Sequence, residues 1–345
     1  MMFAEFSDVS YEDWKKQAVK DLKGTDFEAI VWEKTFGKVL PYYTERPEYG
    51  DKILSDGSET QNLPMIECAS GEEEKSNKLA LAALNTGADG ILFELRRNAK
   101  PDFATLLRGI GLNFCSVAFS NGSTESYFDF QNYLTENYAD KTDEIRGFFD
   151  APFDADHAED YLKMPDFSPC VFRPVGQDET AIVAECIAFY ADILRKNPDW
   201  ASKIVFSFSA QDDFFCEIAK IRALKKLLLG MSQKAGVPFT NKIHVSTQPR
   251  SDEQAQKDPY LNMISNTTQA MSVVAAGADS LTVLPHTYGM KETDDFSARI
   301  ARNVYCILRE ESFLTRVADA TAGAYYVEQL TDKIARTAYE KAFSA

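Results

Sequence analysis

No stretch of about 18 consecutive apolar residues occurs in the 345-residue chain, so the sequence offers no membrane-spanning helix. Its start, MMFAEFSDVS, lacks the basic residues and the apolar core of a secretory signal, and the expectation is a soluble, cytoplasmic protein. Cations are in deficit: 37 Lys and Arg stand against 53 Asp and Glu, a net charge of −16, which excludes a nucleic-acid surface built on clustered basic residues. The six cysteines (Cys68, Cys115, Cys170, Cys186, Cys216, Cys306) form no C-x-x-C pair, and Cys186 and Cys306 sit within apolar patterns. Buried reduced thiols are expected from this, not disulfides or a zinc site. Only three histidines exist, and they read as structural residues, with no metal site. A phosphate loop of the G-x-x-x-x-G-K kind and an H-E-x-x-H pair are both missing. "GIGLNF" from Gly109 to Phe114 lacks the third glycine of a dinucleotide loop and precedes a strand pattern, so it reads as a turn. Asn121-Gly122-Ser123 and Asn266-Thr267-Thr268 match the glycosylation acceptor pattern, which carries nothing without a secretion signal.

What is present is a regular alternation. Short apolar runs suited to buried parallel strands fall at Gly90–Leu95, Phe114–Phe119, Ile145–Phe149, Pro169–Phe172, Ile204–Phe208, Ile243–Ser246, Ser280–Leu284 and Thr315–Ala318. Helical patterns lie between them at Lys75–Thr86, Ser126–Tyr138, Ala155–Lys163, Glu179–Lys196, Asp213–Met231, Asn262–Ala275 and Phe296–Glu310, with a further one opened by Thr331 and Asp332. Eight strands alternating with helices predict an α/β domain, a (β/α)8 TIM barrel over residues 63–345. Residues 1–62 predict an extended and helical N-terminal arm. It carries a helix at Tyr11–Leu22 and a turn at Lys23-Gly24-Thr25, and its aromatic residues Trp14, Trp32, Tyr42, Tyr43 and Tyr49 are suited to packing along the domain or a partner subunit.

Reacting groups in a barrel sit where strands end and loops begin. Those positions supply Glu94 and Arg96, Ser120 and Asn121, Arg173 and Pro174, then His244, Thr247 and Gln248, then Pro285 and His286. Glu94, Arg173, His244, Gln248 and His286 are the pocket candidates. No nucleophile, base and orienter fall together, so no catalytic residue is assigned.

The run "DFSARIARN…EES…TRV.D..AG.YYVE.LTD" from Asp295 to Asp332 resembles the segment that closes the barrel of methylmalonyl-CoA mutases. "DDFFCEIAKIRALKKLL" from Asp212 to Leu228 and "QKDPYLNMISNTTQAMSVVAAGADSL" from Gln256 to Leu281 agree in the same order. Trp14, Ala18 and Leu22 to Gly24, with "PYYTERP" from Pro41 to Pro47, echo the family's opening segment. The resemblance implies an acyl-CoA mutase barrel. It also implies where the chemistry is missing. The family's catalytic Tyr-His pair, in "SGYH", falls on Pro174 and Val175, and a valine side chain cannot donate to a carbonyl. The tyrosine of "IRQYAGF" falls at or beside Glu67, within Ile66 to Ser70. "HCQTSGW" becomes "HVSTQPR", keeping His244 and placing Ser246 at the glutamine, and the asparagine of "SLHTN" falls on Leu284. The cobalamin module's D-x-H-x-x-G signature has no match, since His157 is preceded by Ala155-Asp156 and followed by Asp160 at the glycine position.

This distribution implies the barrel domain of the small, non-catalytic subunit. It would bind no cofactor itself and pair as a heterodimer with a catalytic large subunit that carries adenosylcobalamin and interconverts methylmalonyl-CoA and succinyl-CoA in propionate metabolism. Two alternatives stand beside it. One is an active acyl-CoA mutase barrel whose cobalamin domain sits on a separate chain. The other is a barrel that retains acyl-CoA without turning it over, with "PYYTERP" along the acyl channel.

Overall fold

The computed structural model describes residues 9–39, 58–96, 100–152, 164–250, 252–253, 257–290, 293–317 and 319–344. The expected helix at Ala155–Lys163, and "PYYTERP" with Tyr42, Tyr43 and Tyr49, lie outside the described residues. Helix α1 (Tyr11–Asp21) buries no residue, and is followed by a hairpin of β1 (Trp32–Lys34) and β2 (Gly37–Val39). Phe36 and Val39 bring that hairpin into the main apolar core, and Lys34 reaches Asp213 at 2.9 Å and Glu179 at 3.9 Å. The turn at Lys23 and Gly24 takes positive φ at both residues, as the glycine there permits.

Ten further strands follow: β3 (Gln61–Asn62), β4 (Met65–Cys68), β5 (Gly90–Leu95), β6 (Ser116–Ser120), β7 (Arg146–Phe149), β8 (Asp166–Ser168), β9 (Cys170–Phe172), β10 (Ile204–Ser209), β11 (Lys242–Ser246) and β12 (Ser280–Thr282). They form two parallel five-stranded sheets, β4-β5-β6-β7-β8 and β3-β12-β11-β10-β9. Pro64 separates β3 from β4, and Pro169 separates β8 from β9. A proline offers no N–H to a ladder, so each marks the point where a run of strand leaves one sheet and joins the other. The carbonyl of Pro64 still accepts from the Leu92 N–H at 3.1 Å. This parallel arrangement is consistent with a TIM-like barrel. β5 and β6 are buried on both faces, which explains their unbroken apolar sequences.

The helices cover the sheets: α2 (Glu73–Leu84), α3 (Phe103–Leu106), α4 (Thr124–Asn137), α5 (Glu179–Lys196), α6 (Pro198–Ala201), α7 (Phe214–Ala235), α8 (Leu261–Ala275), α9 (Asp295–Glu310) and α10 (Tyr325–Phe343). Their starts are capped by side chains at Asp102, Ser123, Asp178, Asp213 and Asp294, and α7 stops at Gly236, whose φ of 71° a residue with a Cβ resists. α5, α7 and α10 pack on one another. The buried Arg222 guanidinium of α7 pairs with Asp319, in the segment leading into α10, and with Glu328 in the first turn of α10. Such a group needs both carboxylates to be tolerated out of water.

Three expectations are corrected. Thr315–Ala318 is not a strand: Leu314–Arg316 is a single 3-10 turn entered through Phe313 at φ 54°, and Ala318 lies outside the described residues. The free edge of β12 is taken by β3, so residues 315–317 have no ladder to join. The parallel strands begin before the first one expected, Gly90–Leu95, with β3 at Gln61–Asn62 and β4 at Met65–Cys68, and the last helix opens at Tyr325, six residues before Thr331. All six cysteines are free thiols and five are buried; burial pushes the Cys68 thiol up to about 11 and Cys170 up to about 12. No helix among the described residues is long and apolar enough to cross a membrane.

Candidate functional site

A cavity of about 380 Å³ opens at the C-terminal ends of the strands. Parallel strands deliver their last residues to one end of the sheet, which is why side chains distant in sequence meet there. Glu94 (β5), Arg173 (after β9), His244 (β11) and Gln248 (after β11) all line it, with Ser120, Asn121, Ser209, Ser246, Thr247 and Thr282. Among these, four of the five residues expected from the sequence are brought together.

His286 is the exception. The turn closed by the Tyr288 N–H on the Pro285 carbonyl, at 2.9 Å, sends the His286 ring away from the cavity. It lies instead between Tyr260, stacked at 5.5 Å, and Phe296, edge-on at 6.1 Å. The same turn brings Tyr288 into the cavity wall, a residue the sequence reading passed over. Its only signal was position, two residues beyond the histidine within a Pro-His-Thr-Tyr-Gly turn.

Glu94 and Glu67 are directly opposed in the β4–β5 register. Burial and then the Glu67 charge hold the Glu94 carboxyl above its usual range, while Arg173 and the donors Asn121 and Tyr288 pull the other way. The Asn121 amide donates to Glu94 Oε1 at 3.4 Å, and Asn121 itself sits at φ 59°. Burial and the two glutamates raise the Tyr288 hydroxyl. Glu67 is answered at the rim by Arg96 at 3.2 Å, and Arg173 Nε donates to Asp150 at 2.5 Å.

His244 is held down to about 3, first by complete burial and then by the Arg173 charge, so its imidazole is neutral. Its Nδ1 is 2.9 Å from Ser280 Oγ, and its ring lies 5.1 Å from Phe148. Thr247 accepts the Leu284 N–H at 2.8 Å, and the backbone of Gln248 is bound at both its N–H and its carbonyl by the Gln269 amide.

Pro174 and Val175 do not line the cavity. Val175 is 79% exposed, and the N–H groups of Val175 and Gly176 donate to Glu185 Oε2 on α5 at 2.7 and 3.2 Å. Deeper between the two sheets, Leu63, Leu92, Ala118, Phe148 and Val205 form a buried apolar cluster, with Met65 and Val171 packed against it. Among the described residues no group of three or more His, Cys, Asp or Glu is placed to hold a metal ion. His157 lies outside the described residues.

Fold and cavity together define a parallel α/β protein with a cavity, lined largely by polar side chains, at the carboxyl ends of its strands. Its relatives are specific. The family model described as methylmalonyl-CoA mutase matches residues 190–343. The chain is 28% identical to the methylmalonyl-CoA mutase small subunit of Porphyromonas gingivalis and 27% identical to that of Streptomyces virginiae, in each case over 98% of this chain and 63% of the relative. It is 36% identical to methylmalonyl-CoA mutase of Rhizobium meliloti over 41% of this chain and 20% of that protein. The chain resembles the methylmalonyl-CoA mutase family, and over nearly its whole length the resemblance is to small subunits. It spans 63% of the length of the two small subunits it matches.

Proposed function

We propose that this chain supplies the (β/α)8 barrel of a small, non-catalytic subunit of methylmalonyl-CoA mutase, which pairs with and stabilises a catalytic large subunit. The two sheets, exchanging partners at Pro64 and Pro169, are in this reading the halves of one barrel, preceded by an N-terminal arm. The observation that carries the reading is the position of Pro174 and Val175: the residues standing where the family places its Tyr-His pair fold onto α5 and leave the cavity wall. The apolar cluster at Leu63, Leu92, Ala118, Phe148 and Val205 adds to it, because buried side chains drawn from both sheets pack together there, and Leu92 and the adjoining Met65 also belong to the cavity wall.

Adenosylcobalamin belongs in this reading to the catalytic chain. His244, the imidazole of the cavity, is buried with its Nδ1 bonded to Ser280. Light scattering of an equimolar mixture with the catalytic large subunit is expected to give the mass of the heterodimer. Two separately eluting species would refute the pairing.

A second reading, an active acyl-CoA mutase barrel with its cobalamin module on another chain, is favoured by one observation: Tyr288, Glu94 and His244 converge on the same cavity. Turnover of methylmalonyl-CoA by this chain with adenosylcobalamin and a separate cobalamin-domain protein would establish it. None is expected, because a carbonyl-polarising donor placed for the transition state is worth several kcal/mol and Pro174 and Val175 supply none.

A further inference from the structure

The charges that reach the cavity wall are one carboxyl, Glu94, and one guanidinium, Arg173. Both are already answered. Arg173 is paired with Asp150, and Glu94 is held by neutral donors, the Asn121 amide and the Tyr288 hydroxyl. Just outside, Glu67 is paired with Arg96. His244 adds no charge, since burial keeps its imidazole neutral. A ligand bearing a full charge would therefore have to share a counter-ion already engaged in the wall, which weakens what it gains for the water it gives up. Much of the rest of the wall is neutral and able both to donate and to accept: the hydroxyls of Ser120, Ser209 and Ser246 and the Gln248 amide. Met65 and Leu92 give it an apolar floor, continuous with the buried cluster below. The volume of about 380 Å³ falls within the range of small-molecule sites and equals that of roughly a dozen waters at ~30 Å³ each, about twice the bulk of a hexose, so a hexose enters together with several waters.

We propose that this cavity binds a small uncharged polyol, a hexose or a sugar alcohol of similar size, through the side-chain hydroxyls and amides of its wall. The hydroxyls of such a ligand exchange water for Ser120, Ser209, Ser246 and Gln248, while its C–H face rests on Met65 and Leu92. The proposal is independent of subunit pairing, which light scattering reads separately.

Calorimetric titration of the chain with D-glucose and with sorbitol tests it. Saturable heat is expected from at least one, and no binding from succinate, which is smaller and fully charged. Ser246→Trp, whose indole would occupy the cavity, is expected to weaken the polyol by about tenfold or more. Gln248→Leu, which keeps side-chain bulk and removes the amide, should weaken it as well and serves if the tryptophan variant does not fold. The proposal falls if neither polyol gives saturable heat, if succinate binds more tightly than both, or if the affinity is unchanged in the folded variants.

Discussion

His244 shows what one residue does when position overrides type. A histidine at the end of a predicted strand reads as a candidate for proton transfer, yet at 2% exposure, over Phe148 and beside the Arg173 charge, it is an uncharged polar group tied to Ser280. That arrangement has a consequence for stability. The unfolded chain protonates this imidazole near its ordinary value of 6.5, whereas the folded chain resists until about 3. The contribution is thus fully present above 6.5 and is lost as pH falls toward 3, at about 1.4 kcal/mol per pH unit. His244→Gln keeps a polar atom toward Ser280 and removes the titration. Urea unfolding of both proteins near pH 7 and about pH 4.5 should show the parent losing roughly 2 to 3 kcal/mol more than the variant on acidification. Equal losses would mean that the acid sensitivity lies elsewhere. The membership of Glu94, Arg173, His244 and Gln248 in one cavity was legible in the sequence, because strand ends are easy to find and parallel strands deliver them to one end. His286 and Tyr288 were not, because a single turn at Pro285 decides which of the two faces inward.

At the scale of elements, β7 depends on one glycine that no apolar pattern would single out. Gly147 lies opposite Val117 of β6 with φ at 132°, and a Cβ built there would stand 1.8 Å from the Val117 carbonyl oxygen. The contact is backbone on backbone, so no side chain can give way. Gly147→Ala should cost about 3 to 4 kcal/mol by parting β6 from β7, measured as a lowered urea midpoint. Gly230 in α7 is the opposite case: nothing lies within 4 Å of a Cβ there, and Gly230→Ala should stabilise by about 0.5 to 1 kcal/mol through helix propensity. The two results must differ in sign. A loss at both positions would point to a general intolerance of substitution and not to the close approach at β7. Apolar runs such as Gly90–Leu95 and Ile204–Phe208 were legible because both their faces are covered. The first strand was hidden: Gln61 and Asn62 are polar, Pro64 interrupts, and the matching ladder lies more than 200 residues away on β12.

Across the whole molecule, the main core joins parts that the strand pairing keeps apart. One buried cluster contains Phe36 and Val39 of the hairpin, Phe93 and Phe119 of one sheet, Phe206 and Val245 of the other, and Leu330 and Ile334 of α10. A chain of this length commonly unfolds through intermediates. Here the two sheets meet at Leu63-Pro64 and at Pro169 with no linker between them, so neither can lose its packing without exposing the other's edge. Unfolding should therefore be a single transition through both sheets. α1, which buries no residue, is the part expected to fray ahead of it. Trp200, 5% exposed in α6, reports on the second sheet, while Trp14 and Trp32 report on the N-terminal segment. In a Trp14→Phe, Trp32→Phe variant, the urea midpoint from Trp200 fluorescence should coincide with that from far-ultraviolet circular dichroism. Two separated midpoints would mean that the sheets are independent units and that their exchange of strands at the two prolines does not close them into one body. That outcome would remove the structural basis for reading the cavity as the mouth of a single barrel, since its lining is drawn from both sheets: Glu94 and Ser120 from one, His244 and Thr282 from the other.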